Sequence, residues 1–257
     1  MKLGRKQSMK AEDEQKWWDV INHIEEYVSR AEVEIAKAEV IDRIKTLTLN
    51  RKSAFMWSGG KDSLVIADLC KKAGLTKSYC IVTGLEYPQW LNFMLDNKPP
   101  NCEIFDAGYD LDFIANHSEL LFAEGKLGQY WNLNVRQKYF KKCIQENNLN
   151  VLILGHRTID GNICGKNGIR LPNYGAVLYS PIYDWSHELL FAYMYYNEIE
   201  IPFIYKWSRG FYFGTHFWTE RQSYEQVYEI DPQVVLDAAK VLPSAKEFLK
   251  CKLSQNK

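Results

Sequence analysis

Between residues 10 and 48 the apolar side chains Trp17, Ile21, Ile24, Val28, Ala31, Ile35 and Ala38 recur at alternating spacings of four and three. This spacing predicts one amphipathic helix whose a/d seam runs for about three heptads. A seam of that length must be covered, either by the chain's own core or by a second chain. Beyond Arg51 the rhythm changes to short β-rich runs at 53–57, 78–83, 102–106 and 151–154, with a further short run at 177–182. Helical patterns near 62–73, 88–96, 110–122, 131–148 and 186–197 separate or follow them. From about residue 203 the chain turns aromatic, through Tyr205, Trp207, Phe211, Tyr212, Phe213, Phe217 and Trp218, before helical stretches near 219–229 and 232–250.

Strands that alternate with helices predict βα units and a doubly wound, mostly parallel α/β sheet, Rossmann-like in layout. Three segments follow: a helical extension over 1–50, a nucleotide-binding α/β domain over 51–205, and an aromatic helical segment over 206–257 that completes the site. Right-handed crossovers place helices on both faces of such a sheet. Ligands then bind at the carboxyl ends of the strands, where the strand order reverses.

Composition narrows the function classes. The 257 residues carry 32 basic and 32 acidic side chains, so no global field favours nucleic acid. The six cysteines, at 70, 80, 102, 143, 164 and 251, include no C-x-x-C pair. That scatter predicts reduced thiols in a cytoplasmic protein, and neither a disulfide framework nor an iron–sulfur cluster. No signal peptide and no apolar run of about 18 residues is visible, which predicts a chain that is neither exported nor membrane-spanning.

The strongest chemical signal is Ser58-Gly59-Gly60-Lys61-Asp62-Ser63, between the apolar run 54–57 and the helical run 64–69. A strand that turns through two glycines into a helix start gathers backbone N–H groups and the positive end of a helix dipole around one small volume. Lys61 adds a cation and Ser63 a hydroxyl, so the segment is a phosphate cradle by chemistry. It is not a Walker A loop, because Phe55 stands where that pattern needs glycine and Asp62 where it needs Ser or Thr. Asp62 could cap the following helix or hold Mg²⁺ on a bound pyrophosphate.

The loop resembles the PP-loop, Ser-Gly-Gly-x-Asp-Ser, of the ATP pyrophosphatases and the phosphoadenosine phosphosulfate (PAPS) reductase family, proteins of the adenine nucleotide alpha hydrolase-like fold. Thr83-Gly84-Leu85-Glu86-Tyr87-Pro88 resembles the family's segment after the second strand, although Val82 replaces its acid and Gln89-Trp90 its Glu-Thr. Gly155-His156-Arg157-Thr158-Ile159-Asp160 is similar to its Gly-x-Arg-x-x-(Glu/Gln) turn, and Pro181-Ile182-Tyr183-Asp184-Trp185-Ser186 to its Pro-Leu-x-Asp-Trp-(Ser/Thr) helix start. The resemblance spans about residues 51–205. It implies a strand order 3-2-1-4, with the reversal between strands 53–57 and 151–154.

That resemblance implies ATP or PAPS as the nucleotide, with Mg²⁺. Ser58, Gly59, Gly60, Lys61, Asp62, Ser63, Thr83, Gly84, Gly155 and Arg157 would bind it, and Lys61, Asp62 and Arg157 would act on it, Arg157 by gripping phosphate or sulfate bidentately. The glycine-rich, basic run 161–170, with Lys166 and Arg170, suits a mobile flap over an anion, or an ordinary solvated loop. Lys206, Arg209, His216 and Arg221 are further candidates for a second substrate pocket. Asp184 is expected to cap the helix after it.

Three functions remain open. One is cleavage at the α-phosphate with release of pyrophosphate; one is sulfonucleotide reduction by a thiolate; one is a nucleotide-binding subunit that docks a homodimer copy or another protein through the 17–38 seam. The reductases' C-terminal Glu-Cys-Gly-Leu-His motif is missing here, and Cys251 stands between Lys250 and Lys252 with none of it. Whether Cys164 or Cys251 is reactive is not decided by the sequence.

Overall fold

The computed structural model describes residues 11–84, 86, 88–120, 126, 137–206, 210–213 and 223–255. The elements in the first half of the chain are α1 (Ala11–Asn22), α2 (Arg30–Thr48), β1 (Ser53–Trp57), α3 (Lys61–Lys72), β2 (Ser78–Val82), α4 (Pro88–Asp96), β3 (Cys102–Asp106) and α5 (Leu111–Asn116). They are followed by α6 (Lys138–Glu146), β4 (Val151–Ile153), β5 (Ile169–Arg170), β6 (Val177–Tyr179) and α7 (His187–Tyr196). The chain closes with α8 (Gly210–Phe213), α9 (Ser223–Ile230), α10 (Pro232–Val241) and α11 (Pro243–Gln255).

The six strands form one sheet in the order β3-β2-β1-β4-β6-β5. β1 is the centre, parallel to β2 through Phe55↔Ser78 and to β4 through Ser53↔Val151. β4 pairs in parallel with β6 through Val151↔Val177, and the short edge strand β5 runs antiparallel to β6, with Ile169 opposite Tyr179. Central strands flanked on both sides read as near-continuous apolar runs, and Val151, Leu152 and Ile153 are all fully buried. The expected 3-2-1-4 order holds, and the direction of winding reverses between β1 and β4.

The chain folds as two compact units that interleave along the sequence. The first comprises the described residues within Met1–Cys80, Asn97–Glu103 and Lys141–Phe203, and the second those within Ile81–Asp96, Ile104–Phe140 and Ile204–Lys257. Within the second unit α10 packs on α11 and on α5, and Gln89 Nε2 donates to Asp231 Oδ2 at 2.6 Å.

The N-terminal region departs from the single helix expected over 10–48. α1 ends at Asn22, a 3-10 turn spans Ile24–Glu26, and α2 begins only after Ser29. Ser29 has extended backbone, its Oγ accepts from Glu32 N–H, and the Glu32 carboxylate accepts from Ser29 N–H at 2.8 Å. Ser29-Arg30-Ala31-Glu32 is therefore a capping box, a new helix start written inside the apolar periodicity. The break rotates the register. Trp17, Ile21, Ile24 and Val28 are buried within the first unit, whereas α2 buries Val33, Val40 and Ile44. Ala31, Ile35 and Ala38 are exposed, Ile35 by 62%, so the 17–38 seam is not one continuous interface.

Other boundaries moved for local reasons. The stretch expected over 232–250 is two helices, since Pro243 cannot continue α10 and starts α11 instead. The helix expected over 110–122 is α5 plus a 3-10 turn at Ser118–Leu120. Residues 219–222, and most of 131–137, lie outside the described residues. No helix among the described residues is long and apolar enough to cross a membrane.

If the break organises this region, Ser29→Ala should lower stability by about 1 kcal/mol, while Ile35→Ala should change it by less than about 0.5 kcal/mol. Urea denaturation monitored by circular dichroism checks both values.

Candidate phosphate site

β1 delivers the chain to Ser58 at its carboxyl end, and the turn to α3 is made by two glycines. Gly59 takes φ of +70°, a left-handed conformation that a side chain would strain. Gly60 is then the N-cap of α3, in extended backbone, and brings no side chain to cap the helix. A helix start whose N-cap residue brings no side chain turns its first-turn N–H groups outward along the axis, the usual setting for an anion.

The hydroxyl of Ser63 closes this loop upon itself. It donates to Gly60 O at 2.9 Å and accepts from Ser58 N–H at 3.3 Å. Lys61 is buried, with its ammonium 2.6 Å from Asp62 Oδ2. It is a buried, paired charge.

Asp62 neither caps α3 nor stands ready for a metal. Its Oδ1 accepts from Arg157 Nε at 2.8 Å while Oδ2 holds Lys61, so both carboxylate oxygens are bonded to cations. One carboxylate so engaged does not fit a protein-held Mg²⁺, which asks for carboxylates open to the ion. Among the described residues no group of three or more His, Cys, Asp and Glu side chains is arranged to hold a metal.

Arg157 leaves β4 through Gly155-His156 and is fully buried. Five protein acceptors surround its five N–H donors. Nε bonds Asp62; Nη1 donates to Trp185 O at 3.3 Å and to Ser186 O at 3.1 Å; Nη2 faces Asp160 Oδ2 at 2.8 Å and His187 Nδ1 at 3.1 Å. A guanidinium accepts nothing, so His187 Nδ1 must be the acceptor, which fixes the neutral tautomer with its hydrogen on Nε2. Gly155 makes this approach possible. A Cβ there would lie 3.2 Å from both the backbone carbon and the Cβ of Asp62.

The bidentate grip on an anion expected of Arg157 would require its guanidinium to give up acceptors that it holds here. Its fork is spent on the protein, and it clamps the phosphate loop to the start of α7. Lys61 and Arg157 are offset by Asp62 and Asp160, so attraction for a phosphate in this unit rests on backbone N–H groups and the helix dipole.

Other candidates fall out differently. Asp184 does not cap α7; Ser186 does, its Oγ accepting from Leu189 N–H at 3.1 Å. The run 161–170 is not an open flap. Arg170 Nη1 donates to Ile163 O at 3.0 Å, Ser180 N–H to Gly168 O at 2.8 Å, and Ile169–Arg170 pair with β6 as an edge hairpin. Lys166 forms an isolated bridge with Ile169. In the second unit, Thr83 and Gly84 surround a protein carboxylate: Glu86 accepts from Thr83 N–H at 2.9 Å, Thr83 Oγ1 at 2.8 Å and Gly84 N–H at 2.9 Å. Lys206 ends the 3-10 turn Phe203–Lys206, and Arg209, His216 and Arg221 lie outside the described residues.

Sequence reasoning missed three members of these clusters, Asp160, His187 and Glu86. Asp160 and Glu86 lie inside motifs singled out for their glycines and Arg157, and their acidic type was the available signal. For His187, the residue after a cap, no local signal existed.

No family model and no curated protein matches this sequence. Among solved structures, the fold is that of the phosphoadenylyl-sulfate (PAPS) reductase from Candida auris in a phosphate complex, with a TM-score of 0.50 at 15% identity over 70% of this chain and 92% of that one. The NH3-dependent NAD synthetase from Campylobacter jejuni subsp. jejuni, in complex with nitrate, gives a TM-score of 0.48 at 18% identity over 87% of this chain and 94% of that one. A U34-tRNA thiolase from Methanococcus maripaludis with its 4Fe-4S cluster gives 0.48 at 15% identity over 86% and 81%. The architecture is therefore the doubly wound α/β fold that this reductase also has, the fold that the sequence resemblance implied.

Removing the guanidinium should leave two acidic side chains facing a buried gap, so Arg157→Leu should lose about 3–5 kcal/mol of stability. Gly155→Ala, which crowds Asp62 without removing a bond, should lose about 1–3 kcal/mol. Chemical denaturation of both variants checks the ranking.

Proposed function

We propose that this chain is a PP-loop enzyme that binds an adenine nucleotide, ATP, with its phosphates at the first turn of α3, and cleaves at the α-phosphate with release of pyrophosphate. The observation that carries this reading is the Gly59-Gly60 turn at the β1–β4 reversal, opening onto an uncapped helix start with Lys61 buried beside it. Ligands of open α/β sheets bind at such a reversal.

In this reading the chain's own groups bind and orient. First-turn N–H groups of α3 hold phosphate oxygens, and Lys61 offsets the Asp62 carboxylate that would otherwise repel them. Arg157 keeps Asp62 and the loop in register and does not touch the nucleotide. Preorganised donors of this kind offset the charge that grows on a departing pyrophosphate. Mg²⁺ arrives on the nucleotide and counts as substrate, because the Asp62 carboxylate is already occupied.

A thiol-dependent sulfonucleotide reduction fits the cysteines poorly. Burial raises the thiols of Cys70, Cys102 and Cys164 above the usual range and pushes Cys143 up to about 12. Raised values keep them protonated at neutral pH, and only the thiolate attacks sulfur. Cys251, on α11, is the exposed cysteine of the six.

Lys61→Ala and Ser63→Ala should each weaken ATP binding about tenfold to a hundredfold, because one removes a charge and the other the tie that shapes the loop. Calorimetric titration measures this, and unchanged affinity in both folded variants would take the loop out of the site.

Turnover separates the remaining functions. Incubating the purified chain with MgATP should give pyrophosphate and AMP, with water supplying the oxygen that attacks the α-phosphorus, at a rate that Cys251→Ser leaves unaltered. Sulfite release from PAPS that disappears in Cys251→Ser would establish the reductase instead, and tight binding without turnover a nucleotide-binding subunit.

A further inference from the structure

The cluster around Arg157 does not end at α7. Trp17, on α1, is buried at 3% exposure and its ring centroid lies 4.5 Å from that of His187, tilted by 56°. Its other wall is Phe191, one turn further along α7, at 6.2 Å in an edge contact. His187 is fully buried between this indole and the guanidinium. The line of contact runs from Trp17 to His187, through the Nδ1–Nη2 bond of 3.1 Å to Arg157, and through the Nε–Oδ1 bond of 2.8 Å to Asp62 in the phosphate loop.

Each link is directional. The imidazole must present an unprotonated Nδ1 to Arg157, and the indole, tilted by 56° to it at 4.5 Å, limits how far that ring can turn. If His187 rotates, Nη2 loses one of its acceptors. Arg157 then sits in a pocket whose remaining acceptors, Asp62, Asp160 and two carbonyls, pull it elsewhere. The loop feels this at once, because Asp62 also packs closely against the turn that carries Arg157, at Gly155.

We infer that the N-terminal helix α1 is a positioning element of the phosphate loop, acting through Trp17 and His187 on Arg157 and Asp62. Trp17 and His187 are positioning residues, without contact to the ligand. The inference rests on the loop being the phosphate site, but the route from α1 to Arg157 exists in the protein without ligand. Coupling is reciprocal, so an anion bound at the loop also tightens the docking of α1.

The test uses the full chain with two readouts. In the ligand-free protein, hydrogen exchange of the Arg157 Nε–H is followed by ¹⁵N NMR, with the backbone amides of β4 as an internal reference. Trp17→Ala should speed Arg157 exchange about tenfold while β4 amides stay within about twofold, and Trp17→Phe, which restores an aromatic face, should return it to near the wild-type rate. Inorganic pyrophosphate binding, measured by calorimetry, should weaken about fivefold or more in Trp17→Ala and recover in Trp17→Phe.

Should Trp17→Ala fail to fold, His187→Phe provides the same test, since it keeps a ring against Trp17 and deletes only the acceptor. It should speed the same exchange. Exchange at Arg157 that is unchanged, or that rises only in step with β4, overturns the proposal by making the contact ordinary core packing. Faster Arg157 exchange in a protein whose wild type binds neither pyrophosphate nor ATP would uphold the coupling and refute the nucleotide reading, so the two failures are distinguishable.

Discussion

The bond between Arg157 and Asp62 organises the first unit. It joins the two segments that leave the carboxyl ends of β1 and β4, the strands between which the winding reverses. A buried guanidinium is costly unless every donor is met, and Arg157 has a full set of acceptors drawn from Asp62, Asp160, Trp185, Ser186 and His187. Because those acceptors come from the phosphate loop, the turn after β4 and the start of α7, one side chain fixes three segments. The loop's shape is therefore a property of the whole unit rather than of its glycines alone.

A division of labour follows within the cluster. Two cations and two carboxylates leave little net charge, and charge attraction alone would not select an anion. In the proposed reading, selection falls to oriented backbone N–H groups at a helix start with no capping side chain. Such a site suits phosphates, which present several oxygens to converging donors. Glu86 illustrates the same chemistry in the second unit, where the N–H groups of Thr83 and Gly84 and the Thr83 hydroxyl converge on a carboxylate of the chain itself.

Much of this fold was legible in the sequence, for physical reasons. β1, β3 and α4 stand where apolar runs and turn residues placed them, since a central strand and a short amphipathic helix each leave a clear periodicity. The loop 58–63 was legible because two glycines before Lys-Asp-Ser have few structural uses. The break in the N-terminal helix was hidden because the apolar spacing stays regular through residues 27–29, and the capping box at Ser29–Glu32 outweighs that spacing. Roles inside the site were less legible than its location. Arg157 carries the same letter whether it grips a ligand or is clasped by the protein, and only the positions of Asp62 and His187, remote in sequence, together with that of nearby Asp160, decide between them.

Arg157 holds the loop, and in the proposed reading backbone N–H groups hold the phosphates. A crystal structure of the full chain with pyrophosphate bound tests this most directly. Phosphate oxygens are expected within hydrogen-bond distance of first-turn N–H groups of α3, with Arg157 still bonded to Asp62 near the 2.8 Å seen here. A guanidinium that has left Asp62 to grip the ligand, or a pyrophosphate bound away from residues 58–63, would contradict it.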